Sequence, residues 1–163
     1  MGKTCSVLAC LVLAGFATLE PLSVAAQAQG FKPQPISGTI SFGPPTPGTC
    51  SFQVDIFFQG KAGQINLPGG RIILTSPALR ATLTNHSNPS SSVTLNTTGA
   101  FHQSFPSNGD IVTVVTGRNI LVDPIAGFVL AIGTFSFVFD ANGNLVQPLI
   151  GTGQLVDICK LLS

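Results

Sequence analysis

Residues 110–153 carry three apolar, β-rich runs separated by two turn signals. The middle run, 128–139, would place apolar side chains on both faces of a strand, because successive residues of a strand point to opposite sides. Its Thr-Phe-Ser-Phe-Val-Phe segment favours a strand over a helix, and the Asn142-Gly143 pair that follows is a strong hairpin signal. The pattern predicts a central strand buried on both sides, with a bend at Gly133.

Shorter runs before this stretch extend the same pattern. Residues 50–58 alternate, so that Val54 and Ile56 share one face while Gln53 and Asp55 share the other. Further runs follow, with turn residues about every 8–12 positions, which is typical of a sandwich or barrel. We predict an all-β fold that forms an antiparallel β-barrel of about eight strands or, alternatively, a β-sandwich. The pattern of the last residues predicts one short helix at 154–162.

The start of the chain has the layout of a secretory signal peptide. Lys3 supplies a positive charge, an apolar run covers residues 5–19, and Ala26-Gln27-Ala28 is a cleavage site of the small-residue type. The apolar run is shorter than the roughly 20 residues that a transmembrane helix needs. We therefore expect residues 1–28 to be removed. Residues 29–163 would then form a single secreted β domain, extracellular or alternatively periplasmic or at the cell surface, with no stable membrane span.

Two cysteines, Cys50 and Cys159, remain after the predicted cleavage. In an exported protein an even pair of cysteines indicates a disulfide bond. Closing so long a loop contributes roughly 4–5 kcal/mol in the chain-entropy model. No second cysteine pair or histidine cluster completes a zinc site, so we expect no metal and no cofactor.

Charge and aromatic content exclude some classes of partner. Charged residues make up 8% of the chain, seven basic against six acidic, and they are scattered along it. Proteins that bind nucleic acid present a basic stripe or patch, so we expect no nucleic-acid partner. The chain has no Trp and no Tyr, which weakens a carbohydrate-binding function based on stacked aromatic rings.

The sequence assigns no catalytic residue. His86 lies in a polar segment, His102 follows a Phe, and no Gly-x-Ser-x-Gly elbow accompanies them. Most aspartates lie beside turn residues, where Asp bonds its own backbone. Asp55 is the exception in the middle of a strand, and we expect it to point outward.

Three residues are candidates for contact with a small apolar ligand. Arg118 lies between two apolar runs next to Gly117, where it could bind an anionic group of a ligand. Because structural pairing is the commoner use of a lone Arg, we favour a structural role in which it pairs with Asp123 or with a carbonyl group. Phe135 and Phe137 supply the apolar surface, although an ordinary filled core would explain them as well.

Two asparagines fit the N-glycosylation pattern. Asn85-His-Ser and Asn96-Thr-Thr both match Asn-x-Ser/Thr, whereas Asn88-Pro-Ser does not, because Pro is excluded at the middle position. Asn96 lies in a predicted strand and would have to face solvent to be modified. Asn85 and Asn96 are therefore the possible glycosylation sites.

Much of the mature chain resembles a group of small exported proteins known mainly from bacterial genomes. The segments that carry the resemblance are LPGGRIILTSPALRATLTN at 67–85, VTLNTTGAF at 93–101, VVTGRNILVDPIAGFVLAIG at 114–133 and FDANGNLVQPLIGTGQLVDIC at 139–159. The resemblance implies export, but it implies no activity and no catalytic residues. More loosely, the strand pattern is similar to small barrels of the allene oxide cyclase and dirigent type.

Three functions follow as hypotheses. The first is a non-catalytic protein that binds a small apolar molecule, since a small barrel can hold one. The second is a structural or cell-surface protein whose exposed sheet contacts partners. The third is a cofactor-free isomerase or cyclase with Arg118 or Asp55 as its polar group.

Overall fold

Residues 31–163 are described by a computed structural model, and the predicted signal peptide at 1–28 lies outside the described residues. This part of the chain contains nine strands and one short helix. In chain order they are β1 Gln34–Phe42, β2 Val54–Asn66, β3 Ile72–Thr75, β4 Arg80–Asn85, β5 Asn88–Asn96, β6 Gly99–Ser104, β7 Ile111–Asp123, β8 Gly127–Phe139, β9 Leu145–Asp157 and α1 Ile158–Leu161.

All nine strands belong to one antiparallel sheet. One side of β2 pairs with β1, and its other side pairs with β4 in the first half and with β3 in the second half. Next, β5 pairs with β4 and β6 with β3, and β7, β8 and β9 continue in order from β6. Within residues 31–163 the sheet is not closed. The prediction of an all-β antiparallel fold is confirmed, but closure into a barrel is not shown.

A row of glycines crosses the last four strands at one height. Gly99 pairs with Gly117, Gly117 with Gly133, and Gly133 with Gly153. Gly117 and Gly133 have φ values of 84° and 136°, which residues with a side chain rarely adopt. A Cβ atom on either would also collide with the backbone of the neighbouring strand. The row therefore lets four backbones approach closely at a bend.

The ribbon of β7, β8 and β9 folds back on itself at this row. Asp123 pairs with Gly127 at one end of the ribbon, whereas Leu149 lies beside the segment between Ser136 and Val138. In a straight ribbon these sites would be about 30 Å apart, at roughly 3.3 Å per residue. Yet the Leu149 N–H donates to the Asp123 carboxylate at 3.2 Å. We call residues 118–132 and 154–157 the inner arm, and residues 111–116, 134–139 and 145–152 the outer arm.

One face of the inner arm packs against the sheet formed by β1, β2, β4 and β5. Phe128 and Leu130 are each 2% exposed there, and the Phe128 ring lies 5.9 Å from the ring of Phe42. This first core is completed by the buried side chains Cys50, Val54, Ile56, Ala81, Leu83, Ile120, Ile158 and Leu162.

The opposite face of the inner arm packs against the outer arm. This second core joins Leu121, Val129 and Ala131 of the inner arm to three side chains of the outer arm, Val115, Phe135 and Phe137. The inner half of β8 is thus buried on both faces. The prediction of a central strand with apolar residues on both sides is confirmed for that half.

The C-terminal segment is fastened to the first core by the predicted disulfide, which joins Cys50 and Cys159 with their Cα atoms 5.4 Å apart. The predicted helix at 154–162 is wrong in extent, because α1 covers only Ile158–Leu161. Residues 154–157 extend β9 instead, since they pair with β8. The Asp157 side chain then caps the helix by accepting from the Lys160 N–H at 3.2 Å. No helix in residues 31–163 is long and apolar enough to cross a membrane.

Candidate functional site

The candidate site is a cavity between the two arms of the folded ribbon. The loop at residues 43–49 contributes Thr46 and Pro47 to its wall. The cavity has a volume of about 110 Å³, and its other lining residues are Leu121, Val122, Asp123, Pro124, Phe137, Phe139, Leu145 and Leu149. Its walls are therefore made mainly of aliphatic and aromatic side chains, drawn from β7, β8 and β9.

Asp123 is the one charged residue that lines this cavity, and both oxygens of its carboxylate accept backbone hydrogen bonds. The side chain is 5% exposed. One oxygen accepts from the N–H groups of Ile125 and Ala126 at 2.8 and 2.7 Å, and the other accepts from the Leu149 N–H. The predicted role of Asp123 in a turn is therefore correct. Its bond to Leu149 could not be seen in the local sequence, because 26 residues separate the two.

The three predicted ligand contacts are not brought together. Phe137 lines the cavity, whereas Phe135 is packed within the second core and is not part of the cavity wall. Arg118 lies at the bend, where its Nε–H donates to the carbonyl oxygen of Asn96 at 3.1 Å. This bond is of the kind expected if Arg118 has a structural role, with a carbonyl group as its partner rather than Asp123.

Asp55 lies on the outer surface of the sheet at the centre of a polar cluster. Ser41 and Gln53 donate to one of its oxygens at 2.6 and 2.8 Å, and the His86 Nδ1 lies 2.7 Å from the other. These hydrogen bonds, that of Ser41 foremost, lower the pKa of Asp55 to about 2. The expectation that Asp55 points outward together with Gln53 is confirmed.

This cluster does not have the geometry of a hydrolytic triad. A triad needs the serine hydroxyl on the imidazole and the carboxylate on the opposite ring nitrogen. Here the Ser41 hydroxyl donates to Asp55 rather than to His86. The His86 side chain is 59% exposed, and neither it nor Asp55 lines the cavity between the arms.

His102 lies in a different environment, on β6, where it is half-buried. Its Nε2 is 3.4 Å from the Thr116 hydroxyl. It contributes to an open depression of about 170 Å³ together with Arg71, Ile73 and Val114. Within residues 31–163, no group of three or more His, Cys, Asp or Glu side chains is placed to hold a metal ion.

The two predicted glycosylation sites differ in accessibility. Asn85 is 7% exposed, and its Nδ2, the atom that would carry a glycan, donates to the Leu162 carbonyl at 3.1 Å. A glycan at Asn85 would therefore require the C-terminal segment to leave its place in the fold. Asn96 is exposed at the end of β5, and there the folded chain leaves room for one.

Comparisons of the chain with family models, with curated proteins and with solved structures find no match.

Proposed function

We propose that this protein is exported and binds a small apolar group, without catalysis, in the cavity between the two arms. The observation that carries the proposal is the wall of this cavity, which is apolar and spans two segments distant along the ribbon. The disulfide between Cys50 and Cys159 supports export, because such bonds persist in oxidising compartments.

The cavity volume limits the size of the ligand. Pockets for drug-sized molecules occupy roughly 300–1,000 Å³, whereas an apolar protein cavity of about 150 Å³ holds benzene. At about 110 Å³, this cavity fits a group of about the size of a benzene ring or a short hydrocarbon chain. Because the sheet is not closed, a ligand held inside a barrel, as first predicted, has less support than a small group held between the arms.

The polarity of the cavity also favours binding over chemistry. The Asp123 carboxylate accepts three backbone hydrogen bonds, which leaves it committed to the fold. Asp55 and Arg118, the polar groups of the isomerase or cyclase hypothesis, lie outside the cavity wall. That hypothesis therefore has less support than binding of a neutral apolar group.

The proposal is tested by titrating the exported, disulfide-bonded protein with benzene while methyl NMR shifts are recorded. We expect saturable shifts of the Leu121, Leu145 and Leu149 methyl groups. Leu145→Trp should fill the cavity and weaken binding at least tenfold. Val146→Trp is the matched control, because Val146 is the next residue of β9 and is 56% exposed; it should bind as the wild type does.

Two results would overturn the proposed function: shifts that do not saturate, and equal binding by the Leu145 and Val146 variants. Native mass spectrometry of protein purified from its own source would show whether a ligand is retained. N-terminal sequencing of the same sample tests export separately, since we expect the mature chain to begin after Ala28.

A further inference from the structure

The last strand of the sheet, β9, has a free edge. Within the described residues β9 pairs with β8 alone. All six residues at positions 150–155 are exposed, so neither face of this part of the strand is covered. Ile150 and Leu155 are 53% and 41% exposed. The edge thus combines unpaired backbone groups with apolar side chains.

The edge also lacks the features that usually prevent a free edge strand from pairing with another chain. Proteins protect free edges with charged side chains, prolines or bulges. No charged residue occurs at positions 141–156 of this chain. Pro148 and the register shift between Ser136 and Val138 protect the first part of β9, but residues 149–157 contain no proline. The second part of the strand is therefore unprotected.

The other strands with only one partner are different. Outside β9, the described residues include two such strands, β1 and β5. In β1 the exposed positions are Gln34, Pro35, Ser37, Thr39 and Ser41, and in β5 they are Asn, Pro, Ser and Thr residues. No apolar side chain other than proline is exposed on either strand. Association through an edge is thus favoured at β9.

We propose that two copies of the protein associate by pairing their β9 strands antiparallel across a two-fold axis near Thr152. A free edge offers backbone N–H and C=O groups, so its occupant is another extended strand. An uncharged segment such as 149–156 is compatible with a second copy of itself, and the net charge of +1 gives little repulsion between copies. Two-fold dimers are also the commonest symmetric assemblies.

The position of the axis follows from the limits of the segment that contains neither a charged residue nor a proline, residues 149–156, whose middle lies near Thr152. Pairing centred on Thr152 places Leu155 of one copy opposite Leu149 of the other, and Gly151 opposite Gly153. It also places Asp157 opposite Gln147, so that the two aspartates do not meet. Because one pair of short edges buries little area, the dimer is expected to be weak, with a Kd on the order of 0.1 mM.

The test is sedimentation equilibrium of the exported, disulfide-bonded protein from about 10 µM to about 1 mM, a range that brackets this Kd. The wild type should approach the dimer mass at the highest concentrations. Thr152→Lys places two ammonium groups beside each other at the axis, and like charges directly opposite destabilise paired strands. We expect it to raise the Kd at least tenfold. Ser37→Lys adds the same charge to exposed β1 and should leave the Kd unchanged.

Hydrogen exchange gives a second readout that does not depend on a variant. Amides at 150–155 of the wild type should become more protected as its concentration rises, while those of β1 and β5 should not. A protein that stays monomeric at about 1 mM, or exchange independent of concentration, would overturn the proposal. So would a dimer that Ser37→Lys disrupts and Thr152→Lys does not. A mass that rises beyond the dimer would exclude the two-fold pairing, since open-ended contacts give fibres.

Discussion

The two arms of the folded ribbon are built from the same strands but differ in how many of their faces are buried. In the β7 and β8 parts of the inner arm, both faces are covered, since the consecutive side chains Ile120 and Leu121, and Phe128, Val129 and Leu130, are all buried. In the outer arm the two faces differ. Phe135 and Phe137 are 6% and 5% exposed on the covered face, while Thr134 and Ile150 on the other face are exposed.

The sequence of each arm matches its surroundings. Consecutive apolar residues, as in Phe-Val-Leu-Ala-Ile at 128–132, suit a strand that is covered on both sides. Alternation, as in Thr-Phe-Ser-Phe at 134–137, suits a strand with one open side. Gly133 lies between the two patterns. A change of pattern within one strand thus marks the point at which the strand changes from burial on both faces to burial on one face.

The largest effect should come from removing the disulfide, which fastens the sheet that covers the inner arm. Cys50 is 3% exposed in the first core, and its bond to Cys159 spans 109 residues. The chain-entropy model assigns about 4–5 kcal/mol to a loop of this length. We expect the double variant Cys50→Ser/Cys159→Ser to lose about that much free energy of unfolding in urea titrations. A loss of less than about 1 kcal/mol in the free energy of unfolding would mean that packing alone holds this sheet against the inner arm.

The next largest loss of stability should come from truncating a phenylalanine. A matched pair of Phe→Ala variants, one in each arm, compares how tightly the two arms are packed. Phe128→Ala removes a ring from the inner arm that is 2% exposed, and such changes cost about 3–5 kcal/mol. Phe139→Ala removes a half-buried ring from the outer arm and should cost less than half as much. Chemical denaturation of both variants measures the difference. Equal losses would show that the inner arm is not the more tightly packed region.

The sequence predicted the burial of the inner arm and a bend at Gly133, but not the path that brings the arms together. Apolar residues on both faces of β8, the Cys50–Cys159 pair and the outward Asp55 all follow from local pattern. The alignment of Gly99, Gly117, Gly133 and Gly153 depends on the register of four strands, and single-strand patterns do not contain it. For that reason the cavity between the arms could not be located, and Phe137 alone of its lining residues was singled out.

The bend itself is tested by two substitutions of glycine by alanine. Gly133→Ala would place a Cβ against the backbone of β9, at a residue with φ of 136°. We expect it to cost about 1–3 kcal/mol, as for other strained backbone sites, and to weaken exchange protection at Leu149. Gly127→Ala is the control, because its φ of 86° is also positive while no atom lies near its Cβ position. This control measures the loss of stability that comes from the positive φ alone, about 1 kcal/mol.

If Gly133→Ala proves no more costly than Gly127→Ala, close approach of the backbones is not what requires glycine at the bend. In that case the strands must be able to separate there, and the arms would be held together by the second core alone.

The smallest effect on the free energy of unfolding should come from the Asp55 cluster, which lies on the surface of the sheet. The pKa of Asp55 is about 2 in the folded protein, below its ordinary value of 3.8. The folded state therefore binds fewer protons than the unfolded state between these pH values. The stabilisation is complete above about pH 4 and is lost as the pH falls through about 2. Because the cluster is solvent-exposed, we expect less than about 1 kcal/mol.

Urea titrations of wild type and Asp55→Asn from pH 6 to pH 2 measure this contribution, since the gap between their stabilities should shrink as the pH falls. Ser41→Ala removes the strongest of the bonds to Asp55. Ser41→Ala should raise the pKa of Asp55 toward its ordinary value. The pH range over which the stability difference due to Asp55 changes should then be narrower. A gap that is constant over this range would show that the carboxylate is no better stabilised in the folded chain than in the unfolded one.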